Sequence, residues 1–177
     1  MLLPEVAFDH LADLFNIIEK GAKWPQQMGK ARAAFMVKDE EDPLNPLAYR
    51  VLLMLPSAYR LWTRTRLRHL QPWVAQWACE EMYAGVEGQG AADASYVTSL
   101  LLEHCTLHNS PFSGGAADIF KCFDQLSRPL IYDLIKAAGM PTRVAEPYER
   151  FLKGLMVHNS MGGSLGEAYN KPASILQ

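Results

Sequence analysis

The chain has 177 residues, about half of them hydrophobic, with 17 Lys and Arg against 19 Asp and Glu for a formal charge of −2. That composition supplies ample core for one ordinary domain or two small ones, which excludes a disordered chain. The balanced charge excludes a globally basic protein, so any nucleic-acid surface must come from local clustering of Lys and Arg.

No stretch approaches the ~18 apolar residues of a membrane span, and Met1 to His10 lacks a charged start followed by an apolar signal core. A soluble protein with no membrane partner is expected. Cys79, Cys105 and Cys122 form an odd set without Cys-x-x-Cys spacing, the pattern of free thiols in a reducing, intracellular setting, nucleus or cytoplasm.

Phe8, Leu11, Leu14, Phe15 and Ile18 recur at helical spacing, and Lys20-Gly21 is a stop, so the chain opens with an amphipathic helix. Ala33 to Val37 is short and apolar and then turns abruptly charged at Lys38-Asp39-Glu40-Glu41-Asp42, with Pro43 and Pro46 beyond. With the second apolar run, Val51 to Leu55, it predicts a β-hairpin. From Pro56 onward Tyr59, Trp62, Arg66 and Leu70 keep a helical period. Arg60, Arg64 and Arg68 stand four apart, about 40° of drift per step, and form one basic stripe.

Gly85 to Gly90 is a glycine-punctuated loop before a helix over Ala91 to His104, and His108 to Gly115 is another break. A helix is predicted from Arg128-Pro129 to Gly139, with Pro early and Gly just past the end. Pro141 to Lys153 is a further helix, and Leu155 to Leu176 reads as a hairpin around Gly162-Gly163. The expected class is mixed α+β with more helix than strand.

One run carries chemistry. Asp118-Ile119-Phe120-Lys121-Cys122-Phe123-Asp124 resembles the Asp-x-x-Lys-Ala-Phe-Asp signature of reverse transcriptases of the non-LTR retrotransposon type, with Cys122 in place of the usual Ala. Phe35-Met36-Val37-Lys38 and Tyr49-Arg50-Val51-Leu52 look like the fingers hairpin of that family, although Val37 and Val51 stand where its prolines would be. Gly85 to Ala94 is similar to its glycine loop, and Pro172-Ala173-Ser174-Ile175-Leu176-Gln177 resembles the start of its Pro-Gln-Gly motif. The four matches run in family order over roughly residues 33 to 177.

The resemblance implies an incomplete right-hand polymerase fold. Residues 1–32 would be a helical lead-in, 33–110 a fingers-like region with the hairpin, and 111–177 a partial palm. It implies an RNA-directed DNA polymerase that joins a primer hydroxyl to a nucleotide α-phosphate with two Mg²⁺ about 3.5–4 Å apart. Asp118 would be the first carboxylate ligand, at a strand end, with the Ile119 carbonyl beside it, because Mg²⁺ is held by a few hard oxygen ligands plus phosphates. Phe123 would exclude a ribose 2′-hydroxyl, Lys38 and Arg50 would meet the triphosphate, and Gln177 would touch the incoming nucleotide. Arg60, Arg64 and Arg68 would contact the nucleic-acid backbone. The expected partners are RNA template, DNA primer and deoxynucleoside triphosphates, with self-association through an exposed palm edge.

The family's aromatic-x-Asp-Asp motif is expected to follow Gln177, so the chain is expected to be a fragment that does not polymerise alone. The alternative is a non-catalytic nucleic-acid-binding or interaction module with the same fold. Without the resemblance, Asp118 reads as an exposed residue or helix N-cap, Phe123 as core, and the arginine stripe as a wet helix face. His104 and His108 share a helical face but lack further ligands at zinc spacing.

Overall fold

The computed structural model describes residues 4–38, 45, 48–120 and 122–170, except the side chain of Asp124. Helix α1 spans Glu5–Glu19, and a single 3₁₀ turn at Gln26–Gly29 leads into strand β1, Lys30–Val37. Strand β2 is Tyr49–Met54 and helix α2 is Ser57–Val74. Helices α3 (Ala91–Leu107), α4 (Cys122–Gln125), α5 (Arg128–Ala137) and α6 (Thr142–Gly154) follow. Strands β3 (Met156–Met161) and β4 (Ser164–Asn170) complete the order.

The expected α+β class and both hairpins are present. β1 pairs antiparallel with β2 in the register Phe35↔Val51 and Met36↔Arg50. β3 pairs antiparallel with β4 through the Gly162-Gly163 turn, whose two residues have φ of 57° and 83°. A two-residue turn with both central residues at positive φ suits the right-handed twist of the strands, and glycine meets that demand without strain. β1 and β3 run parallel, so the sheet order is β2-β1-β3-β4. Strands from the first third of the chain and from its last thirty residues thus share one sheet.

The chain divides into two compact units, one of residues 1–66 and 121–177, the other of residues 67–120. In the first, Ala31, Ala33 and Val157 put one sheet face into the core, with Ile18, Tyr59, Trp62, Phe151 and Leu152 buried in the same unit. Trp24 sits edge-on to Tyr59, Trp62 and Phe151, with centroids 5.3–5.5 Å apart, and Tyr59 stacks on Phe151. Edge-to-face rings align a positive rim with a negative face, which adds directionality to apolar burial. The Trp24 indole N–H donates to the Pro147 carbonyl at 2.9 Å, so its polar edge is satisfied inside this nest.

Glu19 anchors the same unit. Its carboxylate accepts from Trp62 Nε1 at 2.9 Å and Arg143 Nη2 at 2.8 Å, and it pairs with Arg66. Arg150 donates to the Ile18 carbonyl at 2.7 Å. Helix α1 has no basic residue in its last turn. Three arginines from elsewhere in the chain therefore supply the positive charge that a helix C-terminus favours. Burial works to raise the Glu19 pKa, but the hydrogen bonds from Arg143, Trp62 and Arg66 outweigh it and hold the carboxyl below its ordinary value.

In the second unit, α3 starts where Asp93 reaches back to accept the Gly90 N–H at 2.8 Å, which satisfies a donor that the first turn leaves open. None of its 17 residues is buried. Tyr96, Val97, Leu100, Leu101, Leu102 and Leu107 are all substantially exposed.

Candidate nucleotide and nucleic-acid interface

The β1–β2 hairpin brings two expected phosphate ligands together. Side chains alternate across a strand, so Ala31 and Ala33 turn to the core while Lys30, Arg32 and Met36 turn to the open face. Arg50 lies directly opposite Met36. The Lys38 N–H donates to the Ala48 carbonyl at 2.7 Å, which carries the pairing one step past β1 and leaves Lys38 two residues beyond Met36 on the same side. Diagonal neighbours of this kind are roughly 7–8 Å apart, within reach of one phosphate group for two long side chains.

The open face carries more positive charge than the motif alone predicts. Lys30, Arg32, Lys38 and Arg50 are all exposed. Strands β1, β2 and β3 contain no Asp or Glu. Among the described residues none of the four cations forms an ion pair. Met36, Leu52 and Met54, each 43–51% exposed, stand among them, so the face pairs cationic heads with apolar contact surface. Lys30 and Arg32 were not singled out from the sequence, although their alternation with Ala31 and Ala33 is the period-2 signal that places them together.

On α2, Arg60, Arg64 and Arg68 are exposed, while Tyr59, Trp62 and Leu70 are buried and Arg66 turns to Glu19. The helical period thus separates a core stripe from a cationic stripe as expected.

The metal motif is less regular. The strand expected to end at Asp118 does not form; residues 111–119 have no regular secondary structure. Gly114-Gly115-Ala116-Ala117 explains the absence, since glycine and alanine bring little side chain to pack on a neighbouring strand and glycine gives up the most backbone freedom on ordering. Asp118 is exposed, Ile119 is 64% exposed, and Phe123 is 47% exposed on the short helix α4, so Phe123 is not core. Among the described residues no three His, Cys, Asp or Glu side chains converge as a metal group would require. The His104 and His108 rings lie 4.2 Å apart, with His108 Nδ1 2.9 Å from the His104 carbonyl, a contact internal to the helix end. Lys121, the Asp39–Asp42 turn, and Pro172 to Gln177 with the expected nucleotide contact Gln177 lie outside the described residues.

No helix among the described residues is long and apolar enough to cross a membrane. No protein-family model matches the chain, and no curated protein matches it.

Proposed function

We propose that this chain forms the fingers and first part of the palm of an RNA-directed DNA polymerase, a reverse transcriptase that performs two-metal nucleotidyl transfer in its full-length parent. The observation that carries the reading is the β1–β2 hairpin, which sets Lys38 and Arg50 beside Lys30 and Arg32 on one open face of two strands that themselves contain no Asp or Glu. Arg50 offers a planar fork to phosphate oxygens and Lys38 a point charge, a combination suited to a triphosphate or a template backbone. Asp118, with the Ile119 carbonyl, is the proposed Mg²⁺ ligand of the parent. Phe123 is the proposed sugar gate and Arg60, Arg64 and Arg68 the backbone contact. The exposed edge strand β4, with Leu165 51% and Tyr169 40% exposed, is the proposed surface of self-association.

One carboxylate cannot hold a fixed pair of Mg²⁺ ions, so the isolated 177-residue chain binds nucleic acid without extending a primer. Template-dependent extension by the purified chain contradicts that statement. A second reading, a non-catalytic nucleic-acid-binding module, is favoured by the irregular, exposed setting of Asp118. Comparing Mg²⁺-dependent binding of a primer–template by Asp118→Ala and Arg64→Ala separates the two. A pure binding module loses roughly three- to tenfold in affinity through Arg64 and ignores Asp118, whereas a polymerase fragment loses its Mg²⁺ response through Asp118 as well.

A further inference from the structure

Within the first unit, the open face of β1 and β2 continues across the sheet onto β3. In the parallel pairing of β1 with β3, Met156 stands beside Lys30, His158 beside Arg32 and Ser160 beside Ala34. Val157 is buried with Ala31 and Ala33, so alternation sends Met156, His158 and Ser160 to the open face. The polymerase motifs make no use of these three. One of them is a histidine, the side chain whose charge changes between about pH 5 and 8.

Strand β4 fixes the ring from the other side. Ala168 stands opposite His158, and the ladder slips between His158 and Ser160. At that slip His158 Nδ1 lies 3.0 Å from the Gly166 carbonyl oxygen. A carbonyl only accepts, so Nδ1 carries a proton whether the ring is neutral or charged, and Nε2 is the nitrogen that gains or loses one. In the neutral ring Nε2 turns a lone pair toward an approaching phosphate. In the charged ring it offers an N–H and a positive charge.

The charged neighbours of this ring are cations. Arg32 is directly beside it on β1, with Lys30 two residues earlier on the same face. Strand β3 holds no other charged side chain, and β4 holds one, Glu167. A Cβ on Gly166 would stand 3.8 Å from the Asn159 Cβ, and the Tyr169 hydroxyl donates to Asn159 Oδ1 at 3.0 Å. Asn159 and Tyr169 therefore mark the opposite face of β3 and β4, and Glu167, between Gly166 and Ala168, alternates onto it. Neighbouring strands run about 4.8 Å apart, which lets an arginine and a histidine side by side address one phosphate group.

We propose that His158 is a proton-gated ligand for the nucleic-acid backbone, its Nε2–H and the Arg32 guanidinium taking oxygens of one phosphodiester. The inference rests on the reading that the open face meets a polyanion, and it adds a residue and a regulation to that face. A bound phosphate favours the charged ring, so binding takes up a proton. By the reciprocity of linked equilibria, affinity rises as pH falls.

The test follows binding of a labelled RNA–DNA primer–template by fluorescence anisotropy at one salt concentration, from about pH 8 to about pH 5.5, alongside the NMR titration of the His158 ring. The wild type is expected to gain about three- to tenfold in affinity over that range, and the ring's titration midpoint to move up when nucleic acid is bound. His158→Gln is expected to stay within about twofold throughout, whereas His158→Arg should reach at the upper pH the affinity that the wild type shows only at the lower one. His104→Gln, on α3, should keep the wild-type profile. A flat wild-type profile, an unmoved midpoint, or a pH dependence that survives in His158→Gln overturns the proposal and leaves the polyanion reading standing. No salt-sensitive binding at either end of the range overturns both.

Discussion

Two regions of this molecule bury their residues in opposite ways. Around Trp24 and Glu19, rings meet edge to face and polar tips find partners from distant parts of the chain. Helix α3 carries as much apolar side chain per turn, yet it buries none of its residues. Apolar content alone therefore does not make a core. The first region combines it with a period that sends Tyr59 and Trp62 to one side of α2, whereas Leu100, Leu101 and Leu102 are consecutive and point in three directions about 100° apart.

The largest effect is expected from Trp62→Ala, which empties the centre of the aromatic nest and leaves Glu19 short of one donor. The cost is about 3–5 kcal/mol by denaturant unfolding. A change below about 1 kcal/mol would mean that the nest is not the stabilising core of its unit.

Glu19→Ala comes next, at about 3 kcal/mol, because it leaves the arginine cluster uncompensated against the end of α1. The same hub sets a pH dependence. The Glu19 carboxyl is held below its ordinary pKa when folded, so the unfolded chain binds the proton more readily. Its contribution is fully present above the unfolded value, about 4.3, and is lost as pH falls through the lower folded value. Unfolding free energy of the wild type should therefore decline below about pH 4 more steeply than that of Glu19→Ala. Parallel pH profiles would remove Glu19 from the account.

The smallest effect is expected on α3. Leu101→Ser, at a side chain 48% exposed, should change stability by no more than about 0.5 kcal/mol while raising solubility. A loss of about 2 kcal/mol or more would show that this leucine is buried in solution and would collapse the contrast between the regions.

Much of the local structure was legible in the residues. The charged break after Val37, the Gly162-Gly163 turn, and Pro129 early in α5 with Gly139 at φ 74° just past it each fix an element end by backbone chemistry that acts within a few residues. Lys38 and Arg50 could be placed together for the same reason, since one hairpin joins them. The parallel pairing of β1 with β3 was not legible, because Ala31 and Val157 are brought together across more than 120 residues by helices that periodicity does not orient. Glu19 escaped notice for a like reason. Beside Lys20 it reads as an ordinary helix end, and its partners Trp62, Arg66 and Arg143 stand 43, 47 and 124 residues away. The strand before Asp118 was expected from the family motif alone, and its glycines and alanines give the sheet nothing to hold.

The central claim is that the open face of β1 and β2 meets a polyanion. Its most direct test is the salt dependence of binding to a labelled RNA–DNA primer–template, followed by fluorescence anisotropy for the wild type and Arg50→Ala. We predict that the substitution weakens binding roughly three- to tenfold and lowers the slope of log affinity against log salt by about one. An unchanged affinity and slope would contradict the claim and leave Lys38 and Arg50 as solvated strand residues.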